Sequence, residues 1–376
     1  MKEPPQFPTQ AIHAVLSEET DVRPIATPIY LSTTYHRNED GSYNHDYLYS
    51  RADNPNRRSV EKAIASLENG AVAYAFASGM AAVSAVFQSL KAGDHILIPD
   101  DVYFNVVLLL REVMDRWQLQ YTAVDMADLT AVRKAIQDNT RLIWLESPSN
   151  PQLKLTDIRA IGQLAQERKI LVAVDNTWPT PVITRPLDLG ADLVVHSTTK
   201  YFGGHSDVLS GCVVVKEEGH LAERISSIQR FCGGVPAPFD CWLVSRGIQS
   251  LHLRVTAQSQ TALTLATYLD QHPAIEAVLY PGLPNHPQYS LAQRQMTSNG
   301  AMLSVLVKGD GSRADRIAHQ LRYFKVATSL GAAESLVERR KAVEGPDSST
   351  PENLLRLSIG LEAATDLIAD WERVLK

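Results

Sequence analysis

No stretch of the 376-residue sequence stays apolar for the roughly 20 residues that a membrane-spanning helix needs, so no such segment is expected. Basic blocks are missing too. Lys and Arg number 36 against 42 Asp and Glu, a net charge of -6, and nothing points to nucleic acid or an anionic membrane surface as a partner. Cysteine is scarce. Cys212, Cys232 and Cys241 are odd in number and widely spaced, with no CxxC pair, which argues against a disulfide framework and against a zinc site. The opening "MKEPPQFPTQ" lacks an apolar signal core, so secretion is not expected and a reducing cytoplasm is the expected setting. No internal repeat is present, and low complexity is confined to "EGPDSSTPEN" at 344–353.

What is present is an ordinary globular composition, 44% hydrophobic and 21% charged, with ample length for a large core. The length predicts a large domain and a smaller one. Residues 1–45, rich in proline, threonine and polar groups, read as an arm that packs on a neighbouring subunit or remains a leader. Residues 46–235 alternate helix and strand patterns. "RRSVEKAIASLENG" reads as an amphipathic helix closed by Gly70. "AVAYAFA", "HILIPD", "LIWLESP", "ILVAVDNT" and "DLVVHS" read as strands, and "GCVVVK" as a candidate further one. "SGMAAVSAVFQSLKAG", "VVLLLREVMDRWQ" and "IRAIGQLAQERK" read as the helices between them. This order predicts an α/β domain with a mostly parallel sheet sandwiched by helices. Residues 236–376 open with a long helical stretch from "WLVSRG" to "YLDQH" and continue as mixed strands and helices, a smaller α+β domain.

Three local features carry candidate chemistry. Ser78, Gly79 and Met80 follow a buried strand and open a helix, and the free N–H groups of a helix start favour an anion. Alone, this is equally a plain N-cap. Asp175 ends the strand "LVAVD", and ligands of open parallel sheets bind at strand carboxyl ends. A carboxylate there can hold a cationic ring nitrogen, or simply cap the next turn. Lys200 follows "ADLVVHSTT" at the mouth of another strand, where desolvation lowers a lysine's pKa and makes its amine reactive. The bland alternative is an ion-paired structural lysine. Ser197 and Thr199, alternating on an extended segment, face one way and suit a phosphate. An anion site, a strand-end carboxylate and a strand-end lysine 25 residues later together fit pyridoxal 5'-phosphate.

The chain also resembles the Cys/Met-metabolism family of pyridoxal-phosphate enzymes, the cystathionine γ-synthase, γ-lyase, β-lyase and methionine γ-lyase group. The likeness runs from about residue 10 to the C-terminus through "AIHAV", "TPIYLSTTY", "YLYSRADNP", "SLENGAVAYAFASGMAAV", "DDVYF", "ESPSNP", "VDNTW", "HSTTKYFGGHSD", "RGIQSLHLR", "SLGAAESL" and "LLRLSIGLE". The resemblance implies the fold-type I transferase architecture of these enzymes. It implies that Lys200 holds the cofactor aldehyde and later moves the Cα proton, and that Asp175 pairs with the ring nitrogen. Gly79, Met80, Ser197 and Thr199 would hold the phosphate, joined by Tyr49 and Arg51 from a neighbouring subunit. A homodimer or homotetramer with shared sites follows. Tyr103 would stack on the cofactor ring and shuttle protons, and Arg356 would clamp the substrate α-carboxylate with Asn150 and Ser329. The implied reaction is elimination or replacement at Cγ or Cβ of an amino acid, yielding a 2-keto acid and ammonia or a thioether. Elimination on a non-standard amino acid and aminotransfer are the other readings. An inert scaffold conflicts with the intact Lys200 and Asp175.

Two positions depart from the family. The cystathionine enzymes carry an arginine five residues after the tyrosine and a glutamate before "SLG"; Leu108 and Thr328 stand there. A substrate with a charged distal end would lose partners at about 2–5 kcal/mol per pair, which favours a smaller or apolar distal group. The segment "VERRKAVEGPDSSTPENLL" also differs. Its Arg339, Arg340 and Lys341 read as a solvated face, with contact to an anionic substrate tail as the alternative.

Overall fold

The structure, a computed structural model, describes residues 5–15, 24–345, 348 and 350–376. Residues 1–4 and 16–23 of the expected arm, and 346, 347 and 349 of the expected low-complexity loop, lie outside the described residues.

Near-continuous apolar runs build a seven-stranded sheet, buried on both faces except at one edge. Its strands are β1 Val72–Phe76, β2 His95–Pro99, β3 Gln120–Val124, β4 Thr140–Glu146, β5 Leu171–Asp175, β6 Leu193–His196 and β7 Gly211–Val215. Their order is β1-β7-β6-β5-β4-β2-β3. From β3 to β6 the pairing is parallel, while β7 runs antiparallel to β1 and β6. The period of two sorts the side chains. Val172, Val174 and Val194 join one core cluster; Leu142, Trp144, Ala173, Leu193 and Val195 join the other. Continued past the strand ends, the second set leads to Glu146, Asp175 and Ser197. One face of the sheet thus receives all three.

The second sheet contains β8 Ile275–Leu279, β9 Met302–Val307, β10 Lys325–Val326, β11 Leu336–Arg339 and β12 Leu354–Ser358, in the order β10-β11-β12-β9-β8. The helix Pro238–Asp270 joins the two parts. Its Val244, Ile248, Leu251 and Leu265 belong to the same core cluster as Val60 and Ile64 of the helix Pro55–Leu67 and Leu303 of β9. The core therefore runs across the boundary expected at 235. Part of the arm packs on its own chain. Helix Phe7–His13 buries Ala11, and Phe7 lies 6.1 Å from the His252 ring.

Two local expectations change. The helix Pro55–Leu67 is closed by Asn69, which takes the left-handed conformation at φ 59°. Gly70 serves close approach instead, since a Cβ there would lie 2.3 Å from Val214 Cγ1. The segment expected as one helix at 106–118 is a helix Phe104–Leu108, a wide π turn Leu109–Val113 and a 3₁₀ turn Met114–Trp117. Its buried residues Val106, Leu110 and Met114 are spaced by four, which a wider turn keeps on one side better than the 3.6-residue α-helix.

Candidate active site

The carboxyl ends of β4, β5 and β6, the start of the helix Gly79–Gln88 and the loop before β11 enclose a cavity of about 230 Å³. Ser78, Gly79, Met80, Tyr103, Asn150, Asp175, Ser197, Thr199, Lys200, Thr328, Ser329 and Arg356 all line it, so tertiary structure gathers twelve of the residues singled out above. Three others lie elsewhere. Leu108 is half-buried and does not line this cavity. Tyr49 is 41% exposed, and Arg51 lies over its ring at 5.7 Å while donating to Arg230 O at 2.7 Å. Within one chain, neither reaches the cavity.

Each functional group has a local cause. Ser78 caps the helix Gly79–Gln88 by accepting from Ala81 N at 3.1 Å. Gly79 keeps the space beside it open, since a Cβ there would sit 2.7 Å from Ser197 Cβ. Thr199 Oγ1 donates to Ser210 O and accepts from Ser210 N, both at 3.0 Å, which ties this turn to the strand β7 behind it. Ser197 N donates to Thr177 Oγ1 at 2.8 Å. On the other sheet face, His196 Nε2 bonds Glu68 Oε1 at 2.6 Å and Asn176 Nδ2 donates to the same oxygen at 2.8 Å. The neighbours of Asp175 and Ser197 are thereby anchored from behind.

Lys200 Nζ donates to Ser329 Oγ at 2.7 Å. Burial, with the Arg356 and Arg340 charges behind it, lowers its pKa to about 8 against the pull of Glu338. Ser329 sits in the left-handed region at φ 89°, a strained position for a side-chain-bearing residue, and its carbonyl accepts from Arg356 Nη2 at 3.2 Å. Arg356 Nη1 donates to Asn150 Oδ1 at 3.2 Å. Desolvation brings Arg356 down to about 10, helped by Arg340. Asp175 Oδ1 accepts from Thr177 N at 3.0 Å, and burial raises its carboxyl above the ordinary value. Burial also raises the Tyr103 hydroxyl, which accepts from Asn105 Nδ2 at 2.8 Å.

Several cavity residues were not found by sequence reasoning. Glu146 ends β4 in register with Asp175, accepts from Tyr103 N at 2.9 Å and, through burial, is pushed well above the ordinary carboxylate range. The strand-end position that marks Asp175 marks Glu146 as well. Trp178 and Leu330 add apolar wall. The reading of Arg339, Arg340 and Lys341 as a solvated face is corrected for Arg340. It is 4% exposed, lines the cavity and is paired to Glu338 at 2.9 Å and Glu344 at 2.9 Å. Strand β11 and the helix Arg340–Glu344 turn it inward, and the charge run gave no sign of that.

Among the described residues, neither the buried Asp175 nor the largely buried Lys200 has an ion-pair partner, although both line one cavity. A molecule that carries an aldehyde, a protonatable ring and a phosphate answers the amine, the carboxylate and the open helix start at once, so pyridoxal phosphate fits this site. The α/β fold and the site together define a pyridoxal-phosphate enzyme. Comparison with known proteins narrows the class. The family model described as Cys/Met metabolism PLP-dependent enzyme matches residues 8–376, and the chain belongs to that family. A cystathionine gamma-synthase from Mycobacterium tuberculosis is 43% identical over 98% of this chain and 96% of its own length. A cystathionine beta-lyase from Coxiella burnetii is 40% identical over 98% and 97%. The crystal structure of a cystathionine gamma-lyase from Lactobacillus plantarum complexed with L-serine superposes with a TM-score of 0.94, at 41% identity, covering 98% of both chains. The chain is a pyridoxal-phosphate-dependent lyase or transferase of the trans-sulfuration type, and its substrate is an amino acid. Among the described residues no helix is long and apolar enough to cross a membrane.

Proposed function

We propose that this enzyme eliminates or replaces a neutral substituent at Cγ or Cβ of an amino acid, and that Lys200, Tyr103 and Arg356 carry the reaction with the cofactor-holding residues around them. The observation that carries this reading is the shared cavity of Lys200, Asp175 and Arg356. When bound, pyridoxal phosphate supplies an electron sink for negative charge at Cα. Gly79, Met80 and Ser197 would hold its phosphate, joined by Thr199 once its hydroxyl turns from Ser210 O; Asp175 would hold its ring nitrogen and Lys200 its aldehyde end. The guanidinium of Arg356, held by Asn150 and the Ser329 carbonyl, receives the substrate α-carboxylate through a two-pronged bond. Lys200, once its amine is free, takes the Cα proton, and a pKa of about 8 leaves part of it neutral near neutrality. Ser329 Oγ orients that amine. Tyr103 covers the cavity and passes protons at its hydroxyl.

Besides Glu146 and Arg340, the remaining wall of the cavity includes the uncharged Thr328, Leu330, Leu209 and Trp178, to which we assign the distal end of the substrate. This supports a small or apolar distal group over a second amino-acid end. Tyr49 and Arg51 complete the phosphate site of a neighbouring subunit, which makes the working unit a homodimer or homotetramer, in the cytoplasm. The test is a panel of L-methionine, L-cystathionine, O-acetylhomoserine with and without cysteine, and a γ-halo amino acid. Keto acid, free ammonia and thioether are read out. Turnover of methionine or the halo compound with cystathionine inert is the expected result. Rapid cystathionine turnover overturns the neutral-tail reading, and keto acid formed without ammonia overturns elimination.

A further inference from the structure

The wall that holds Arg356 contains more charge than a carboxylate clamp requires. Glu338 and Arg356 are direct cross-strand neighbours on β11 and β12. Arg356 Nη2 donates to Glu338 Oε2 at 2.8 Å, and Arg340 Nη1 donates to the same oxygen at 2.9 Å. Glu338 is only 5% exposed, and its other oxygen, Oε1, has no hydrogen-bond partner. Arg340 grips Glu344 Oε1 through Nε at 3.1 Å and Nη2 at 2.9 Å, and Glu344 Oε2 accepts from the hydroxyls of Ser348 and Thr350, both at 2.6 Å. The wall therefore reads cation, anion, cation, anion, and sums to zero.

Glu338 poses a problem for a site that takes a carboxylate. It fixes the guanidinium of Arg356, yet it also neutralises that charge and repels an incoming anion in a setting of weak screening. Arg340 is placed to resolve both effects. It shares the oxygen that Arg356 uses and supplies the second positive charge. Without it, Glu338 and Glu344 would outnumber Arg356 two to one.

We propose that Arg340 is a positioning residue for substrate binding: by neutralising Glu338 it leaves the charge of Arg356 to the α-carboxylate, while Glu338 keeps the guanidinium in place. This rests on the reading of Arg356 as the carboxylate clamp. The arrangement is built by this chain's "VERRK" segment, which supplies both Glu338 and Arg340.

The test titrates the holoenzyme with L-norleucine, which has no leaving group, and with n-pentylamine, the same amine without the carboxylate. Binding is read from the absorption change of the bound cofactor. Arg340→Met is expected to raise the norleucine Kd by about ten-fold or more and the pentylamine Kd by less than about two-fold. The double variant Glu338→Gln with Arg340→Met removes both charges and is expected to return norleucine binding to within about three-fold of the parent. Where Arg340→Met fails to hold the cofactor, Arg340→Gln is measured in its place. Equal weakening of both ligands, unchanged norleucine binding in the single variant, or no rescue in the double overturns the inference. Arg356→Met separates it from its premise. If Arg356→Met weakens both ligands alike, the clamp reading itself falls. If it weakens norleucine alone while the Arg340 variants behave otherwise than stated, only the role of Arg340 falls.

Discussion

At the residue scale, the chemistry turns on one amine whose surroundings make it an unusual lysine. Burial and two arginines hold Lys200 near pKa 8. Lys200→Met is expected to abolish turnover and the long-wavelength absorbance of the bound cofactor; retention of either removes Lys200 from its assigned role. A stability effect follows in the cofactor-free protein. The folded pKa of Lys200 lies below its ordinary value of 10.5, so its charge is a burden on the fold. Below about pH 8 the amine is protonated whether the chain is folded or not, and the whole penalty is present. As pH rises from about 8 towards 10.5, the unfolded chain binds more protons, and the penalty fades. Urea unfolding of the cofactor-free protein is expected to show Lys200→Met more stable than the parent at about pH 7, with a smaller difference at about pH 9.5. A difference that grows with pH would contradict the sign.

At the scale of elements, two helix starts do different work. Asn54 caps the helix Pro55–Leu67 by accepting from Asn56 N at 2.9 Å, and its amide donates to Tyr30 O at 3.0 Å. Asn54→Ala is expected to cost about 1–2 kcal/mol in denaturant unfolding of the holoenzyme. The helix Gly79–Gln88 instead opens onto the cavity, and its first residue stands against the backbone of Ser197, so close that a Cβ on it would lie 3.1 Å from Ser197 Cα. Gly79→Ala forces that contact apart. It is expected to raise the cofactor dissociation constant by about ten-fold or more while leaving helix content by circular dichroism unchanged. An unaltered dissociation constant would show that the helix start has room to spare and does not shape the phosphate site.

At the scale of the whole molecule, the exposed Tyr49 and Arg51 lead to a test of subunit sharing. Lys200→Ala and Arg51→Ala homo-oligomers are each expected to be nearly inactive. Dissociated and reassembled together, they are expected to recover about a quarter of the parent's sites, because one of two sites in each mixed pair combines an intact Lys200 with an intact Arg51. Recovery of no activity, with mixed oligomers shown by mass spectrometry, would place each site within one subunit.

Much of the fold was legible from the sequence because its parallel strands are short apolar runs bounded by turn residues, and their ends carry the polar groups. β1, β2, β4, β5, β6 and the helices Gly79–Gln88 and Ile158–Arg168 follow from that pattern. β3 did not, since it lies at the sheet edge with half-exposed side chains that leave little apolar signal. Nor did the break after Leu108, which depends on a four-residue spacing that differs little from the 3.6-residue helical period. Asp175 and Lys200 were legible as polar residues at strand ends, a relation between neighbours in the chain. By itself, then, the sequence determined the alternating α/β architecture, the strand-end lysine and carboxylate, and the fit to a phosphate-bearing cofactor. Only the tertiary structure decided that Arg340 turns inward, that Glu338 stands between two arginines and that Leu108 stays outside the cavity. The first two facts depend on the register of β11 against β12 and on a turn that follows it, the third on the helix Phe104–Leu108. They bring together charges from separate segments, Arg356 against Glu338 and Lys200 against Ser329, and burial then sets what each charge is worth.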